Sequence, residues 1–396
     1  MEYSLEELFD LQMGKTPSRN VSEYWETGDN KWISIADLSK CGKYIYNTKE
    51  CLSDSAIAES GIKQIPINTV VMSFKLSIGK TAITSEPMYS NEAIMSFRDR
   101  KIVQLLPEYV YYLLSSKNWD DGTNKAVMGK TLNKATLSKV KVKIHSVQEQ
   151  KKIVCVLNQA SDLIELRQQQ LEKLDELIKA RFVELFGDLA SPWCKWQAER
   201  LADVCKNPDD IKCGPFGTQL NKDEYVDSGV AVWEIPQINS AFATLPTHYV
   251  TTEKAKLLDS YSVEPGDIAM SRKGNVGKCA VFPPCFKPGI IHSDVLRIRV
   301  DSNRVLPIFM MHQLHYSGSV QRQFEMVSSG AIMAGINVTK LKHILVHVPP
   351  IELQTQFAAS VEQVNKSKVT STVRECVVYR IPDFYRNAVL ERSIKC

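Results

Sequence analysis

The chain contains one sequence pattern twice, in segments about 200 residues apart. The matching pairs are residues 72–80 (MSFKLSIGK) and 270–278 (MSRKGNVGK), Leu106–Tyr109 and Leu306–Phe309, and Leu132–Leu137 and Ile336–Leu341. Three matches in the same order and at nearly the same offset predict two copies of one domain. A duplicated domain suits a ligand that is itself close to symmetric, and duplex DNA is the commonest ligand of that kind.

A long heptad pattern separates the two copies. Residues 147–186 contain neither proline nor glycine. The apolar positions alternate steps of four and three along Ile153, Leu157, Ala160, Ile164, Leu171, Leu174, Ile178 and Leu185, with Arg167 and Arg181 at the two polar positions of the same stripe. This pattern predicts a coiled-coil helix of roughly 60 Å, which acts as a spacer and needs a partner helix along its apolar stripe.

Each copy combines strand and helix patterns. The predicted elements are strands at Trp32–Ile35, Thr69–Met72, Val140–Ile144, Val232–Ile235 and Leu345–Val348, and a helix at Pro107–Ser116. A second polar helix is predicted from Ile351, with Phe357, Val361 and Val364 as its apolar stripe. From Val369 the heptad is lost and Pro382 follows, so the first helix has no full-length partner within the chain.

The predicted fold class is therefore α+β, with two similar mixed domains separated by long coiled-coil-type helices, the second of them truncated or altered. The predicted domains are 1–146 and 189–350 for the two copies, 147–188 for the spacer helix, 351–368 for the start of the second helix, and 369–396 for an atypical tail.

Composition sets the broad class of the protein. The 396 residues are 44% hydrophobic and 24% charged, as in ordinary globular proteins, and the net charge of +4 permits nucleic-acid binding without requiring it. The ten cysteines include no Cys-x-x-Cys pair, which favours free thiols in a reducing compartment. No signal peptide and no apolar run of ~20 residues is present, so we expect a cytoplasmic protein without a membrane segment.

Catalytic motifs are not supported. Three Gly-Lys-Thr tripeptides begin at Gly14, Gly79 and Gly129, but none has the glycine five residues earlier that a phosphate-binding loop requires. The pairs His312/His315 and His343/His347, expected in a helix and a strand, each lack a third metal ligand nearby. Neither a Gly-x-Ser-x-Gly elbow nor an Asn-Pro-Pro-Tyr segment occurs. We therefore predict no catalytic and no metal-binding residue.

Duplicated loops carry the positive signal. Glycine, hydroxyl and cationic residues cluster in the loop after Gly14, in the matching loop after Gly214, and in the two copies of the repeated segment. Such residues contact phosphates through backbone amides, hydroxyls and cations, and base edges through Arg, Asn and Gln. The predicted DNA-binding residues are Lys15, Thr16, Ser18, Arg19, Lys75, Lys80, Phe216, Thr218, Gln219, Lys222, Arg272, Lys273, Asn275 and Lys278.

These motifs resemble the specificity subunit of type I restriction-modification systems. The resemblance covers residues 1 to about 368, and its segments are GKTPS at 14–18, WISIADL at 32–38, GPFGTQL at 214–220, PGDI at 265–268, SRKGNVGK at 271–278 and VPPIELQ at 348–354. The resemblance implies two target recognition domains, each of which reads one half of a bipartite DNA site. It also implies that paired helices set the gap between the half-sites and dock two methyltransferase subunits.

The resemblance further implies a non-catalytic subunit without a cofactor of its own. S-adenosylmethionine, ATP and magnesium would belong to the partner methyltransferase and motor-nuclease subunits, and the chain itself would bind double-stranded DNA. Residues 369–396 depart from the family pattern, as a frameshift or recombination junction would leave them. A degenerate or silent allele that is inactive in complex assembly is therefore the alternative. A self-contained DNA-modifying enzyme is disfavoured by the missing motifs.

Overall fold

The chain divides into two compact units, and the boundary between Gln168 and Gln169 falls inside a long helix. The computed structural model describes residues 1–26, 28–75, 77–119, 124–126, 129–191, 193–328 and 335–368, with the side chains of 124–126, 129–131, Pro208, Thr218 and Ser328 left aside. The predicted domain limits instead treat residues 147–188 as a separate spacer between the two domains. Those limits remain a prediction.

The first unit alternates short strands and short helices. Its strands are β1 (Glu2–Ser4), β2 (Phe9–Met13), β3 (Asn30–Ile33), β4 (Tyr44–Ile45), β5 (Glu50–Leu52), β6 (Val70–Ser73), β7 (Thr81–Thr84), β8 (Tyr89–Ser90), β9 (Ile94–Asp99), β10 (Asn124–Ala126), β11 (Gly129–Thr131) and β12 (Lys141–Lys143). Its helices are α1 (Leu5–Leu8), α2 (Glu23–Glu26), α3 (Ile35–Lys40), α4 (Asp54–Ser60), α5 (Pro107–Ser115), α6 (Lys134–Ser138) and the first part of α7 (Val147–Phe186).

The second unit has a similar order of elements. Its strands are β13 (Ala198–Arg200), β14 (Ile211–Cys213), β15 (Val230–Trp233), β16 (His248–Val250), β17 (Ser262–Val263), β18 (Ile268–Ser271), β19 (Cys279–Val281), β20 (Gly289–Ile291), β21 (Val295–Ile298) and β22 (Leu345–His347). Its helices are the rest of α7, then α8 (Ile235–Asn239), α9 (Thr252–Leu257), α10 (Pro307–Tyr316), α11 (Gly318–Ser328), α12 (Val338–Lys342) and α13 (351–368).

Sheet topology repeats between the units. The larger sheets have the orders β2-β9-β6-β7-β4 and β14-β21-β18-β19, and the smaller ones β5-β3-β8 and β16-β15-β20-β17. In both smaller sheets the central strand pairs antiparallel on one side and parallel on the other. Each unit also contains a two-stranded sheet that joins its first strand to its last. This sheet is β1-β12 in the first unit and β13-β22 in the second. The prediction of two similar α+β domains with a long helix is confirmed.

The repeated segment forms a matched hairpin in each unit. Ser73 N donates to the Lys80 carbonyl and Ser271 N donates to the Lys278 carbonyl, both at 2.8 Å. The residue before each lysine is a glycine with φ of +87°. That backbone angle is readily available to glycine but costly for other residues. The two hairpins therefore share their closing hydrogen bond and the glycine conformation before the lysine.

A buried glutamine attaches the start of each long helix to its own unit. Gln150 accepts a hydrogen bond from Leu106 N at 3.0 Å and donates to the carbonyls of Gln104 and His145 at 2.9 and 3.0 Å. Its counterpart Gln354 makes the same set of bonds. Its partners are Leu306 N at 2.8 Å, the Arg304 carbonyl at 3.0 Å and the Pro349 carbonyl at 2.8 Å.

Both glutamine side chains are fully buried. Two of the three backbone groups that each glutamine satisfies precede α5 or α10, at the matched Leu-Pro pairs noted in the sequence. The third is a carbonyl just before the glutamine's own helix. Each long helix is thereby fixed to the first turn of the helix beside it.

Helix α7 is buried at its ends and half-buried at its centre. Ser146 and Glu149 form a capping box at its start, and Gly187, with φ of +76°, follows its last residue. Ile153 and Leu157 join the core of the first unit, as the heptad predicts. The central stripe position Ile164 is only half-buried.

At the C-terminal end the buried stripe is displaced by one residue from the predicted positions, Arg181 and Leu185. Phe182 and Phe186 lie in the core of the second unit instead, where they contact Phe309 and Phe357 with ring centroids 4.7–5.8 Å apart. From Ile178 onward the steps are four residues, because the helix turns its aromatic face toward this cluster. Burial of the large aromatic side chains dominates the packing here, so the helix buries Phe182 and Phe186 in place of the heptad positions.

Helix α13 agrees with its predicted apolar stripe, since Phe357 and Val361 are buried and Val364 is half-buried. Its last described residue, Lys368, forms an ion pair with Asp175 of α7. The predicted loss of the helix after Val369 falls outside the described residues. None of the helices in the described part of the chain combines the length and the hydrophobicity that a membrane crossing requires.

Two kinds of local expectation are wrong. The predicted strands at Trp32–Ile35 and Val232–Ile235 end at Ile33 and Trp233, because Ser34 and Glu234 are the N-caps of α3 and α8. The histidines expected in one strand are separated, with His343 capping α12 and His347 in β22. In both cases a polar residue caps a neighbouring helix. The strand is therefore shorter than the sequence pattern predicts.

We expect Gln150→Leu and Gln354→Leu each to lower the free energy of unfolding by about 1–3 kcal/mol, because each leaves buried backbone groups without a partner. Urea unfolding of the full chain measures this. Gln148→Leu and Gln356→Leu, at exposed positions on the same helix turns, are the matched controls and should have little effect. Equal losses at the buried and the exposed positions would contradict the assignment.

We expect Gly79→Ala and Gly277→Ala each to destabilise their unit by about 1–3 kcal/mol, the range for a non-glycine residue held in a sparsely populated backbone region. An added Cβ would also lie 3.0 Å from Trp119 Cδ1 or 2.8 Å from Phe324 Cδ2. Gly42→Ala, where a Cβ meets nothing within 4 Å, is the control. Thermal unfolding that leaves all three variants alike would rule out the strained hairpin.

Candidate nucleic-acid interface

Three loops meet at one edge of the larger sheet in the first unit. Loop 14–19 follows β2, residues 91–93 precede β9, and residues 74–80 join β6 to β7. These strands are antiparallel neighbours, so the three connections lie at the same edge. Gly14 N donates to the Ile94 carbonyl at 3.1 Å and Phe74 N to the Ala93 carbonyl at 3.0 Å. We call these residues the loop edge of the first unit.

The loop edge of the second unit consists of residues 214–222, 292–294 and 272–278. Gly214 N donates to the Val295 carbonyl at 3.1 Å and Arg272 N to the Asp294 carbonyl at 3.1 Å. These are the counterparts of the two bonds in the first unit. Main-chain hydrogen bonds thus place the sequence-matched loops at equivalent positions.

The first glycine of each loop lies against backbone. A Cβ at Gly14 would be 2.1 Å from the Ser90 carbonyl oxygen, and one at Gly214 would be 2.3 Å from that of His292. Real Cβ atoms do not approach that closely, so only glycine allows the two chain segments to run side by side. The space constraint explains why both loops begin with this residue.

The six predicted residues of the first unit belong to this edge or follow it directly. They are Lys15, Thr16, Ser18, Arg19, Lys75 and Lys80. Arg19 has the most defined geometry. Its guanidinium carbon lies 3.7 Å from the centre of the Trp25 ring, and its two terminal nitrogens donate to the Glu50 carboxylate at 2.6 and 3.0 Å. The stacking on Trp25 and the two hydrogen bonds to Glu50 fix the orientation of the guanidinium.

Carboxylates balance part of the positive charge here. The hydrogen bond from Arg19 lowers the pKa of Glu50, and the same bond raises the pKa of Arg19. Burial alone would raise the pKa of Glu92, but the hydrogen bond from Thr16 and the charge of Lys75 bring that pKa below its usual value. Lys15 Nζ donates to the Ser60 carbonyl. Lys15, Thr16 and Arg19 therefore each have a hydrogen-bond partner within the chain.

In the second unit the structure brings Phe216 and Arg272 together, although 56 positions separate them. The Arg272 guanidinium carbon lies 4.9 Å from the centre of the Phe216 ring, which is 52% exposed. Arg272 Nη1 donates to the Ser293 carbonyl at 3.2 Å and to Cys213 Sγ at 3.4 Å. Burial raises the pKa of the Cys213 thiol. An aromatic face and a planar cation are thus displayed side by side.

The other predicted residues of the second unit are more loosely held. Lys273 pairs with Asp294 at 2.7 Å, and Gln219 accepts hydrogen bonds from Tyr261 Oη at 3.0 Å and Phe216 N at 3.3 Å. Lys222, Asn275 and Lys278 are exposed, and so are Gln219 and Lys273. The side chain of Thr218 lies outside the described residues.

Sequence reasoning missed a polar cluster beside this edge. Glu234 accepts a hydrogen bond from His248 Nδ1 at 2.8 Å and lies 4.0 Å from His292 Nε2. Glu234 could have been found by matching the copies, since it replaces Ser34 at the start of the helix after the strand. His248 could not, because it reaches Glu234 only through the pairing of β15 with β16.

The remaining histidine pair has a structural role. His312 packs against Tyr316 and Phe357 at 5.2 and 5.3 Å, and burial lowers its pKa to about 3. His315 Nε2 accepts from Cys279 N at 3.2 Å. Within the described ranges, no group of three His, Cys, Asp or Glu residues is arranged to hold a metal ion. The loop edges instead offer amides, hydroxyls, cations and one exposed aromatic ring, a set suited to phosphates and bases.

Comparisons with known proteins show which proteins this chain is similar to. Residues 1–176 match the family model of the type I restriction modification DNA specificity domain. The MjaIX type I restriction enzyme specificity subunit of Methanocaldococcus jannaschii is 28% identical over 223 residues, which cover 51% of this chain and 50% of that one. The chain thus spans about half the length of this curated relative in the aligned region.

Two solved structures share the fold over almost the whole chain. One is the type I restriction-modification S subunit from M. genitalium, with a TM-score of 0.54, 14% identity, and coverage of 99% of this chain and 96% of that one. The other, from work on complex assembly and conformational transition of the type I system, has a TM-score of 0.56, 15% identity, and coverage of 98% and 97%. The chain is thus similar to type I restriction-modification specificity subunits, in sequence over part of its length and in fold over almost all of it.

Proposed function

We propose that this chain is the DNA-reading subunit of a type I restriction-modification complex and that each loop edge reads one half of a bipartite site. The observation that supports this most directly is the repeated loop edge, in which the same main-chain bonds position cationic and hydroxyl residues in both units. Phosphate contacts by these residues would orient the protein, and side chains such as Arg272, Asn275 and Gln219 would contact base edges.

The long helices have a second role in this proposal. Helix α7 has 40 residues, a length of roughly 60 Å, which exceeds one DNA turn of ~34 Å. We propose that α7 and α13 set the gap between half-sites and dock two methyltransferase subunits, and that motor-nuclease subunits bind the assembly. The half-exposed stripe at the centre of α7 and the exposed Leu166 are consistent with a surface that a partner covers.

Catalysis in this proposal belongs to the partners. S-adenosylmethionine, ATP and magnesium would bind to the methyltransferase and motor-nuclease subunits, and this chain would supply sequence recognition without a cofactor. The named relative supports this assignment, because it is itself a specificity subunit.

One alternative follows from a particular observation. The sequence after Val369 lacks the heptad that the preceding helix carries. A subunit with an altered second helix would retain both recognition domains and lose complex assembly. The chain would then be a silent or degenerate allele of the same family.

We expect Lys80→Gln and Lys278→Gln each to weaken binding about equally to all DNA sequences and to reduce the salt slope of the binding constant by about 1, because each removes a phosphate contact. Titration of the chain with its methyltransferase partner against labelled duplex, at several salt concentrations, measures this. Lys287→Gln is the control, since Lys287 is exposed and lies in the connection after β19, away from the hairpin. An unchanged slope in the two loop variants, or a reduced slope in the control, would count against the loop edges.

We expect the host genome to carry a bipartite methylated adenine motif that disappears when this gene is deleted and returns when it is restored. Single-molecule sequencing of the three strains measures the methylation. If deletion changes no methylated motif, the proposal of an active DNA-reading subunit is wrong and the alternative of a silent allele is favoured. Substituting Arg272→Ala in the restored copy should alter or abolish methylation of the motif while the protein still folds.

A further inference from the structure

Strand register identifies one equivalent position in the smaller sheets of the two units. Trp32 pairs with Glu50 across β3 and β5, and Val232 pairs with His248 across β15 and β16. Trp32 and Val232 are equivalent, because each is the first residue of its strand to pair with the parallel neighbour, β8 or β20. Glu50 and His248 therefore occupy the same position in the two sheets.

An aromatic ring also lies at an equivalent position in each unit. Trp25 and Tyr225 each follow the first glycine of their loop edge by eleven residues, and each packs against the core cluster of its own smaller sheet. In the first unit the Arg19 guanidinium stacks on Trp25 and is held by two hydrogen bonds to Glu50. The first unit thus holds a cation between an aromatic ring and a carboxylate.

The second unit builds a similar arrangement from different residues. The His248 ring stacks on Tyr225, with centroids 4.7 Å apart and planes 26° apart, and its Nδ1 lies 2.8 Å from the Glu234 carboxylate. An ionised carboxylate only accepts hydrogen bonds, so Nδ1 donates and Nε2 is left for another partner. The His248 side chain is 45% exposed and that of Arg19 is 49% exposed, so a ligand can reach both from solvent.

The two arrangements differ in how their charge depends on pH. A guanidinium stays charged, whereas an imidazole ordinarily changes its charge between about pH 5 and pH 8. Among the described residues, the cationic partners of Glu234 are two histidines, His248 at 2.8 Å and His292 at 4.0 Å. Asp294, 4.0 Å from His292, is paired with Lys273 at 2.7 Å. The charge of Glu234 is therefore compensated by groups that titrate.

The other ionisable groups beside His248 do not change this balance. Burial raises the pKa of Tyr225, so that ring stays neutral where imidazoles titrate. On the segment that carries Tyr225, Glu224 pairs with Lys254 at 2.5 Å and Asp227 is exposed.

The stacked histidine borders the loop edge of the second unit. His292 is the first residue of the 292–294 part of that edge, and a Cβ on Gly214 would lie 2.3 Å from its carbonyl oxygen. Glu234 connects this residue to His248. A phosphate that follows the loop edge would therefore meet the Glu234–His248 pair.

We propose that His248 is the second unit's counterpart of Arg19, a DNA-contacting residue that binds its half-site in the protonated form. This assignment rests on the proposed function, because it adds a residue to the DNA-binding edge. The imidazolium donates from Nε2 to a phosphate or base acceptor while Nδ1 keeps Glu234.

Loss of the proton has two effects of the same sign. Because Nδ1 keeps its hydrogen on Glu234, the neutral ring presents an Nε2 lone pair, which cannot donate to a phosphate. The Glu234 charge is also no longer offset by His248 and repels the DNA backbone. Affinity therefore falls as pH rises through the titration of His248, whereas the contact from Arg19 persists.

Binding of the full chain with its methyltransferase partner to a duplex that carries the methylated motif tests the assignment, at constant ionic strength from about pH 6 to pH 8. We expect affinity to fall about fivefold or more over this range, the lower end of usual coupling between two binding events. His248→Arg, which supplies a permanent cation, should bind at pH 8 nearly as tightly as at pH 6. His248→Gln should bind weakly at both pH values.

Glu234→Gln is a second variant, and it should bind more tightly than the unmodified chain at pH 8 because it removes the repelling carboxylate. A gain of affinity in this variant or in His248→Arg cannot come from misfolding. His343→Gln is the matched control, since His343 is exposed and caps α12, and it should keep the unmodified pH profile.

Motif-specific binding that is equal at both pH values, or that falls with pH as steeply in His248→Arg as in the unmodified chain, would overturn the assignment of His248 and leave the proposed function standing. Absence of motif-specific binding at every pH would contradict the proposed function and the assignment with it.

Discussion

The structure depends on two buried amide side chains. Gln150 and Gln354 each join the first turn of a long helix to two backbone groups beside α5 or α10, and each also binds the carbonyl just before its own helix. A buried amide that satisfies several backbone groups fixes both direction and rotation of a helix, which apolar packing alone leaves adjustable. The stripe of α7 therefore enters the core of the first unit at a defined angle. The same device, used twice, gives both long helices a common relation to their own units.

Much of this architecture could be predicted from the sequence. The matched segments at 72–80 and 270–278 predicted the two hairpins, and the proline-free heptad predicted α7. The Leu-Pro pairs gave α5 and α10. These features depend on local backbone preference or on periodicity, and neighbouring residues determine both. Matching the copies against each other made such signals stronger than either copy alone.

What the sequence did not reveal depends on tertiary contacts. The shift of the stripe to Phe182 and Phe186 follows from rings on α10 and α13, far away along the chain. At the candidate interface, sequence reasoning gave the cations but not the carboxylates that hold them. Glu50 lies 31 positions from Arg19, and only the fold brings the two together. The pairing of Arg272 with Phe216 has the same origin.

The backbone bonds of the loop edges have a consequence for how such a protein can vary. Gly14 N and Gly214 N, and the hairpin bonds from Ser73 and Ser271, hold the loops through main-chain atoms. The path of each loop is thus largely independent of the side chains that it carries. Side chains can therefore be exchanged at these edges at little energetic cost to the scaffold, so the chemistry displayed there can diversify while the architecture is retained.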